Sequence, residues 1–481
     1  MLNLQSVSVP SESPRLRWLP QSAAEWTSVV LTLAALFLGG GAKGTGDAII
    51  HTLSALAFGM AAWQMGVNTP TPKSHSTLWS RLVCGLFVLA ALVMAAQLIP
   101  LPSTFAAGNP QRTQVLRDLA LAGITRDSWP LSLDRWGTVR SLAALMSTFA
   151  VYLLLRSLPL EGRLRTLRIL GVATLLCALL GFSQAAAGTH AWRAWEQGNH
   201  SGATGFFANR NHYATLMAMW VPLSLALGIA ARHARRTSES GFWFAAFVIF
   251  ILAGALSFSR TGFALLLLTV AVSLPLLTLA FGRRGSLLSR LVPLFAVLVA
   301  ALGIYVYAST GILARLERDP LEDLRWQYLH YGLDTARAYW PWGSGLGSFQ
   351  YVYAPFEPVT AMVNTFAQRA HNDLLQTGIE AGLPGLIVLT LWTATILALV
   401  FRNAFPKRSA ASTTASTHDA DLNADRNADR EGTANLVLRV SGLVLLVPFV
   451  HSLVDYPLRT LAVASLFALI LAIAVSPRTA R

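Results

Sequence analysis

Apolar runs of about twenty residues recur along the whole chain, and nothing constrains its fold more. A bilayer core about 30 Å thick is crossed by about 20 apolar residues in a helix, and every backbone polar group there must find its partner inside the helix. Twelve such runs begin near Trp26, Ala48, Leu78, Thr138, Leu167, Asn209, Gly241, Gly262, Leu291, Leu383, Leu436 and Leu458. They predict an all-α polytopic membrane protein. Composition agrees: 54% of the 481 residues are hydrophobic and 12% charged, against roughly 25% charged in soluble domains. The two cysteines, Cys84 and Cys177, lie inside apolar runs, which argues against a disulfide scaffold. Residues 1–21 hold no compact apolar core before a small-residue cleavage site, so the first run is expected to act as a span and not as a removable signal.

The formal charge of +14 does not point to nucleic acid. Three of the 37 basic residues are Lys, and the arginines punctuate apolar runs without building a hydrated basic face. Their placement reads as topology. With the N-terminus inside, Arg156/Arg163/Arg165/Arg168, Arg232/Arg235/Arg236 and Arg283/Arg284/Arg290 all fall in the cytoplasm, as the positive-inside rule requires. Both termini are then cytoplasmic. The expected organisation is an N-terminal segment (1–25), spans one to nine (26–310), a long periplasmic loop (311–376), span ten (377–401), a flexible linker rich in Ala, Ser, Thr, Asp and Asn (402–433), and spans eleven and twelve with the tail (434–481).

The long loop is the expected seat of function. Arginines kept on the outer face oppose the topological bias: Arg260 in Ser257-Phe-Ser-Arg-Thr-Gly262, Arg210 in Ala208-Asn-Arg-Asn-His212, and Arg325 and Arg337 on an amphipathic stretch from Leu321 to Trp340. A lone Arg at a span end commonly snorkels to the interface. Several together suit an anion clamp, because guanidinium forks hold phosphate oxygens bidentately and never deprotonate. Gly343-Ser-Gly-Leu-Gly-Ser348 lacks the Lys-Ser/Thr pair of a nucleotide loop and reads as a turn letting backbone pass close to a ligand or another helix. In His371-Asn-Asp-Leu-Leu-Gln376, Asn372 or Asp373 can cap a helix, with Gly382 to Gly385 interrupting it before the next span. The imidazole of His371 suits proton acceptance from a hydroxyl near neutral pH. Asp319, Glu322 and Asp323 come nearest to a metal set, and helix-start charge accounts for them more simply. Asp455 and Arg459, with His451, read as a local salt bridge on the outer face.

His371-Asn372, nine residues, then Gly382-Leu-Pro-Gly385 resembles the signature of the bacterial O-antigen ligase and O-antigen polymerase superfamily. The resemblance extends to Arg260 in its link, to Arg325 ahead of Pro341-Trp-Gly-Ser-Gly-Leu-Gly-Ser-Phe349, and to the stretch around Arg210, covering roughly residues 200 to 400. It implies an inner-membrane, metal-independent, inverting glycosyltransferase without cofactor, with about twelve spans and a periplasmic active site. It would move a glycan from undecaprenyl pyrophosphate to an acceptor hydroxyl, first of all on lipid A-core. His371 would be the general base, Arg260 and Arg325 the pyrophosphate clamps, and Arg210, Arg337 and Asn372 further binding residues. Trp340 and Trp342 would stack on sugars or sit in an interfacial aromatic belt. A polymerase or a protein O-oligosaccharyltransferase needs the same groups. A lipid-linked glycan transporter is the reading from a different class, but the span middles carry no charged residue and no repeat relates two halves.

Overall fold

The computed structural model describes residues 18–41, 44–67, 78–195, 202–281, 299, 303, 324–362, 367–404 and 421–477. The chain is built from helices, most of them apolar: α1 (Ala23–Leu38), α2 (Thr45–Val67), α3 (Leu78–Ala96), α4 (Pro110–Leu121), α5 (Arg135–Ser157), α6 (Leu160–Ala187), α7 (Arg210–His233), α8 (Thr237–Ala255), α9 (Arg260–Phe281), α10 (Leu324–Ala338), α11 (Asp373–Ala404), α12 (Asp421–His451) and α13 (Leu461–Ala474); α4 and α10 are polar on balance. Among the described residues eight helices are long and apolar enough to cross a membrane, and three further apolar helices are shorter. The protein is an all-α polytopic membrane protein. A small antiparallel ladder between α3 and α5 pairs β1 (Pro100–Pro102) with β2 (Ser128–Pro130). Apart from residues 299 and 303, the ninth apolar run lies outside the described residues, as do the front of the long loop with Asp319, Glu322 and Asp323, and Arg283, Arg284 and Arg290.

α7 is the centre of the bundle, with every residue of its apolar window buried. Its Trp220 stacks on Trp243 of α8 and on Phe250, with ring centroids 6.5 and 5.7 Å apart. With lipid outside as apolar as the core inside, packing of this kind, more than burial, holds such helices together. Polar groups tie the bundle at its ends. At one end Arg165 forks onto Glu25, 2.9 and 2.6 Å away, joining α6 to α1. There Arg168 meets Glu239 at 3.3 Å. Arg163 donates to Ala472 O at 2.8 Å and to the Ser476 hydroxyl at 2.6 Å, and Arg402 donates to Ser476 O at 2.7 Å. Two guanidiniums thus satisfy the exposed carbonyls at the C-terminus of α13, where the helix dipole favours cations. Among the described residues, the arginines that the sequence assigns to the cytoplasm, Arg156, Arg163, Arg165 and Arg168 with Arg232, Arg235 and Arg236, share this end.

One boundary differs from the sequence reading. α12 starts at Asp421, so the near-repeat Asn423–Arg430, read as part of a flexible linker, is helical. Residues 421–431 contain no Gly or Pro, and a formed span downstream supplies the nucleus on which such residues add turns cheaply. Residues 405–420 lie outside the described residues. The tenth span agrees with the reading: a helix from Asp373 is interrupted at Gly382, and the span runs on from Leu383 to Ala404.

Candidate functional site

The end opposite the paired arginines is shaped by a break in α11. Gly382 adopts φ 58°, ψ −148° inside the helix, a conformation open to glycine and costly for other residues. The amide of Leu383 donates to Pro341 O at 2.8 Å. Around this break wraps Gly343–Ser348. Ser344 N and Gly345 N donate to Ile379 O and Glu380 O at 2.9 and 2.8 Å, and Gln97 donates to Glu380 O at 2.9 Å. A Cβ at Gly343 would stand 2.5 Å from Glu380 O. Of the two uses left open for this glycine turn, the structure shows close passage against another helix. Its role is to hold the first half of α11, and therefore the residue two places before it.

That residue is His371, at φ 50°, immediately ahead of the cap: Asn372 Oδ1 accepts from Leu375 N at 2.9 Å. Sharp left-handed backbone turns the imidazole away from the helix axis and towards the Ser452–Thr460 connection between α12 and α13. There Nδ1 lies 3.1 Å from Asp455 Oδ1. The ring stacks on Tyr328 of α10 with centroids 6.1 Å apart and tilts against Tyr456 at 5.1 Å. Its side chain is 30% exposed while Asp455 is fully buried.

A buried carboxylate needs donors, and Asp455 collects them from three elements. Asn211 Nδ2 donates to Oδ2 at 2.5 Å, the Tyr456 amide donates to Oδ1 at 3.0 Å, and His212 Nε2 lies 3.7 Å from Oδ1. Burial alone would raise this carboxyl, but the His212 and His371 rings carry it well below the usual carboxylate range. Its folded value is depressed, so its stabilising contribution is fully present above the unfolded carboxylate range. That contribution is lost only as pH falls through the lower folded value. Asp455 is therefore charged at neutral pH and fixes a proton on His371 Nδ1, leaving Nε2 as the basic nitrogen. At 3.7 Å the His212 ring meets Asp455 as an electrostatic contact and not as a hydrogen bond, and among the described residues neither of its nitrogens has a hydrogen-bond partner.

A second charged group abuts the first. Arg459 donates from Nε to Asp373 Oδ1 at 2.6 Å and from Nη1 to Glu380 Oε2 at 3.1 Å. Gln376 and the Phe349 amide both donate to Glu380 Oε1. The expected Asp455–Arg459 pair does not form: the short helical turn Pro457–Arg459 sends Arg459 to α11 and leaves Asp455 to the histidines. Arg369 lies with its guanidinium 5.9 Å from the Tyr456 ring centroid. Burial, with Arg459 nearby, lowers its affinity for its proton. Replacing Arg459 by Leu strands fully buried Glu380 beside Asp373, and is expected to cost about 3–5 kcal/mol. Thermal unfolding of the detergent-solubilised variant checks this, with Arg459→Leu/Glu380→Gln recovering part of the loss.

The remaining sequence candidates divide. Arg210 heads α7 beside Asn209 and Asn211, both of which donate to Asp455. Arg260 heads α9 at the same end, where a Cβ on Gly262 would collide with Ala214 of α7. Arg325 stands one turn before Tyr328 on α10, sharing its face, and is close enough to His451 to act on it electrostatically. Arg337 points elsewhere: it is 76% exposed and paired with Asp334 at 2.7 Å. Trp340 and Trp342 are half-exposed, and Trp342 lies against Phe105. The Asn372 side chain is taken up by its cap. Sequence reasoning missed Asp455 as the partner of His371, gave Tyr328 no place beside the imidazole, and missed Glu380 and Arg369 as members of the site. Among the described residues no three His, Cys, Asp or Glu side chains gather as a metal-holding group.

A comparison with known families matches residues 245–390 to a domain described as O-antigen ligase. That stretch takes in Arg260, Arg325, the glycine turn, His371 and the break at Gly382, and ends before Asp455. No curated protein matches the chain.

Proposed function

We propose that this chain, a member of the O-antigen ligase superfamily, transfers a glycan from undecaprenyl pyrophosphate to a hydroxyl of lipid A-core on the periplasmic side of the inner membrane. The observation that carries the reading is the carboxylate-held imidazole: Asp455 on Nδ1, and a second ring nitrogen free to act as base. The ring is partly exposed at the end of the bundle where Arg210 and Arg260 head their helices.

The chemistry is a displacement at the anomeric carbon. The acceptor oxygen forms the new bond to that carbon as its O–H proton passes to His371 Nε2. The bond from the carbon to the pyrophosphate oxygen breaks, its electron pair leaving with undecaprenyl pyrophosphate. Attack from the face opposite the leaving group inverts the configuration. Charge grows on the departing diphosphate, and fixed guanidiniums stabilise it without reorganising. Arg260 and Arg325 are the clamps, with Arg210 beside them. Arg369, lying against the Tyr456 ring, adds to the positive field. Asp455 does not take the proton; it orients the ring and stabilises the imidazolium that forms. Tyr328, stacked on the ring, and Tyr456, tilted against it, restrict how the imidazole can turn.

The family match supports a ligase- or polymerase-type enzyme alike; the ligase reading is put first, with the polymerase and protein-directed readings as outcomes of the test. The test is a proteoliposome assay with an undecaprenyl-pyrophosphate-linked glycan and three acceptors offered separately: lipid A-core, a second lipid-linked repeat, and a Ser/Thr peptide. Transfer to lipid A-core is expected, and exclusive use of either other acceptor overturns the assignment. In the same assay Arg260→Lys is expected to lower the rate by about 10²-fold, the scale of one lost transition-state donor, because a point charge does not reproduce a bidentate fork. Full activity with Lys would reduce Arg260 to a snorkelling residue.

A further inference from the structure

Between the end of α3 and the start of α5 the chain builds a small unit of β1, β2 and α4 that the transfer chemistry leaves unused. It encloses a cavity of about 240 Å³. One face of α4 lines it through Arg112, Val115, Leu116 and Leu119, the i, i+3, i+4, i+7 stripe that a surface helix normally packs against a core. Here that stripe, only partly buried, faces a hollow. Leu101, Phe105 and Trp129 supply much of the opposite wall. No acidic residue lines the space, whereas Arg126 and Arg135 do, both exposed. Arg126 lies with its guanidinium 5.3 Å from the Trp129 ring centroid. Arg112 is committed elsewhere, donating to Leu131 O and Gly343 O, and so forms the floor and not a free cation.

We infer that this cavity binds the acyl segment of an anionic, phosphate-bearing lipid of the surrounding bilayer, with Arg126 and Arg135 holding the headgroup. Three observations carry this. The apolar wall begins five residues after the end of one span, and Arg135 itself opens the next, at the level where lipid headgroups meet acyl chains. The rim is cationic without counter-carboxylates in the lining, which suits phosphate and not a zwitterion or a cation. The apolar surface also continues outwards, with Leu121 87% and Trp136 73% exposed, an unpartnered patch that a bilayer covers. The volume falls below the roughly 300–1,000 Å³ of a drug-sized ligand pocket, so one chain segment fits and a whole lipid does not. The inference stands apart from glycan transfer, and its test reads lipid contact alone.

The full chain is reconstituted with a phosphatidylglycerol bearing a photoactivatable diazirine on one acyl chain, and crosslinked peptides are mapped by mass spectrometry. Labelling of Leu101–Phe105 and Val115–Leu119 is expected. The rim variant Arg126→Gln/Arg135→Gln leaves the apolar wall intact and is expected to lower that labelling about tenfold or more, the scale of two surface cations. Leu116→Trp, which fills the hollow, is expected to remove it while labelling along α3 persists. The matching phosphatidylcholine probe is expected to label weakly. Equal labelling by both probes, or wild-type labelling in the rim variant, overturns the anionic site; absence of these peptides from the crosslinks overturns the lipid site itself.

Discussion

A His371→Ala variant transfers glycan about 10²–10⁴-fold more slowly than the wild-type protein, the contribution of a positioned acid–base group, while it inserts and folds normally. The second half of this expectation follows from the surroundings. The ring is partly exposed and its loss opens space towards solvent, whereas α11 remains capped by Asn372 and tied through Arg459 to Asp373 and Glu380. Asp455 keeps its donors from Asn211 and the Tyr456 amide. Initial rates in proteoliposomes, with thermal unfolding measured on the same preparations, separate chemistry from folding. Near-normal transfer by His371→Ala would remove the base from the mechanism.

Asp455→Asn is expected to cost as much or more, about 10⁴-fold, by a different route. The amide preserves shape and can still meet its neighbours, but it can present an N–H to His371 Nδ1. The proton then moves to Nε2, and the nitrogen facing the acceptor becomes a donor when a base is needed. A purely structural role for Asp455 predicts something else: loss of stability with a proportionate loss of activity. The distinguishing readout is the nitrogen-15 chemical shift of the His371 ring in labelled protein. It should report Nδ1–H in the wild-type chain and Nε2–H in the variant. An unchanged tautomer with lost activity would contradict the argument.

How much of this was legible beforehand depends on distance along the chain. Hydropathy and Arg placement read the helical bundle directly, because span length and charge bias are local properties. His371, Arg210 and Arg260 were legible from short motifs on one face. Asp455 was not, because 84 positions separate it from His371. Sequence proximity instead suggested Arg459, four residues away, and a short helical turn sends that side chain to α11. Glu380 lay hidden in an apolar helical run, where only the Gly382 break and the glycine turn around it create a polar niche. Asn372 and Arg337 illustrate the converse. Residue type suggested ligand contact, but a helix cap consumes one side chain and solvent with a local acid takes the other.

The most direct measurement follows both products of a single turnover with a chemically defined undecaprenyl-pyrophosphate-linked glycan and its acceptor. Base-assisted displacement on a clamped diphosphate predicts one undecaprenyl pyrophosphate released for each acceptor glycosylated, with the new linkage inverted at the anomeric carbon by NMR. A retained configuration, or glycosylation without release of the lipid diphosphate, would contradict it.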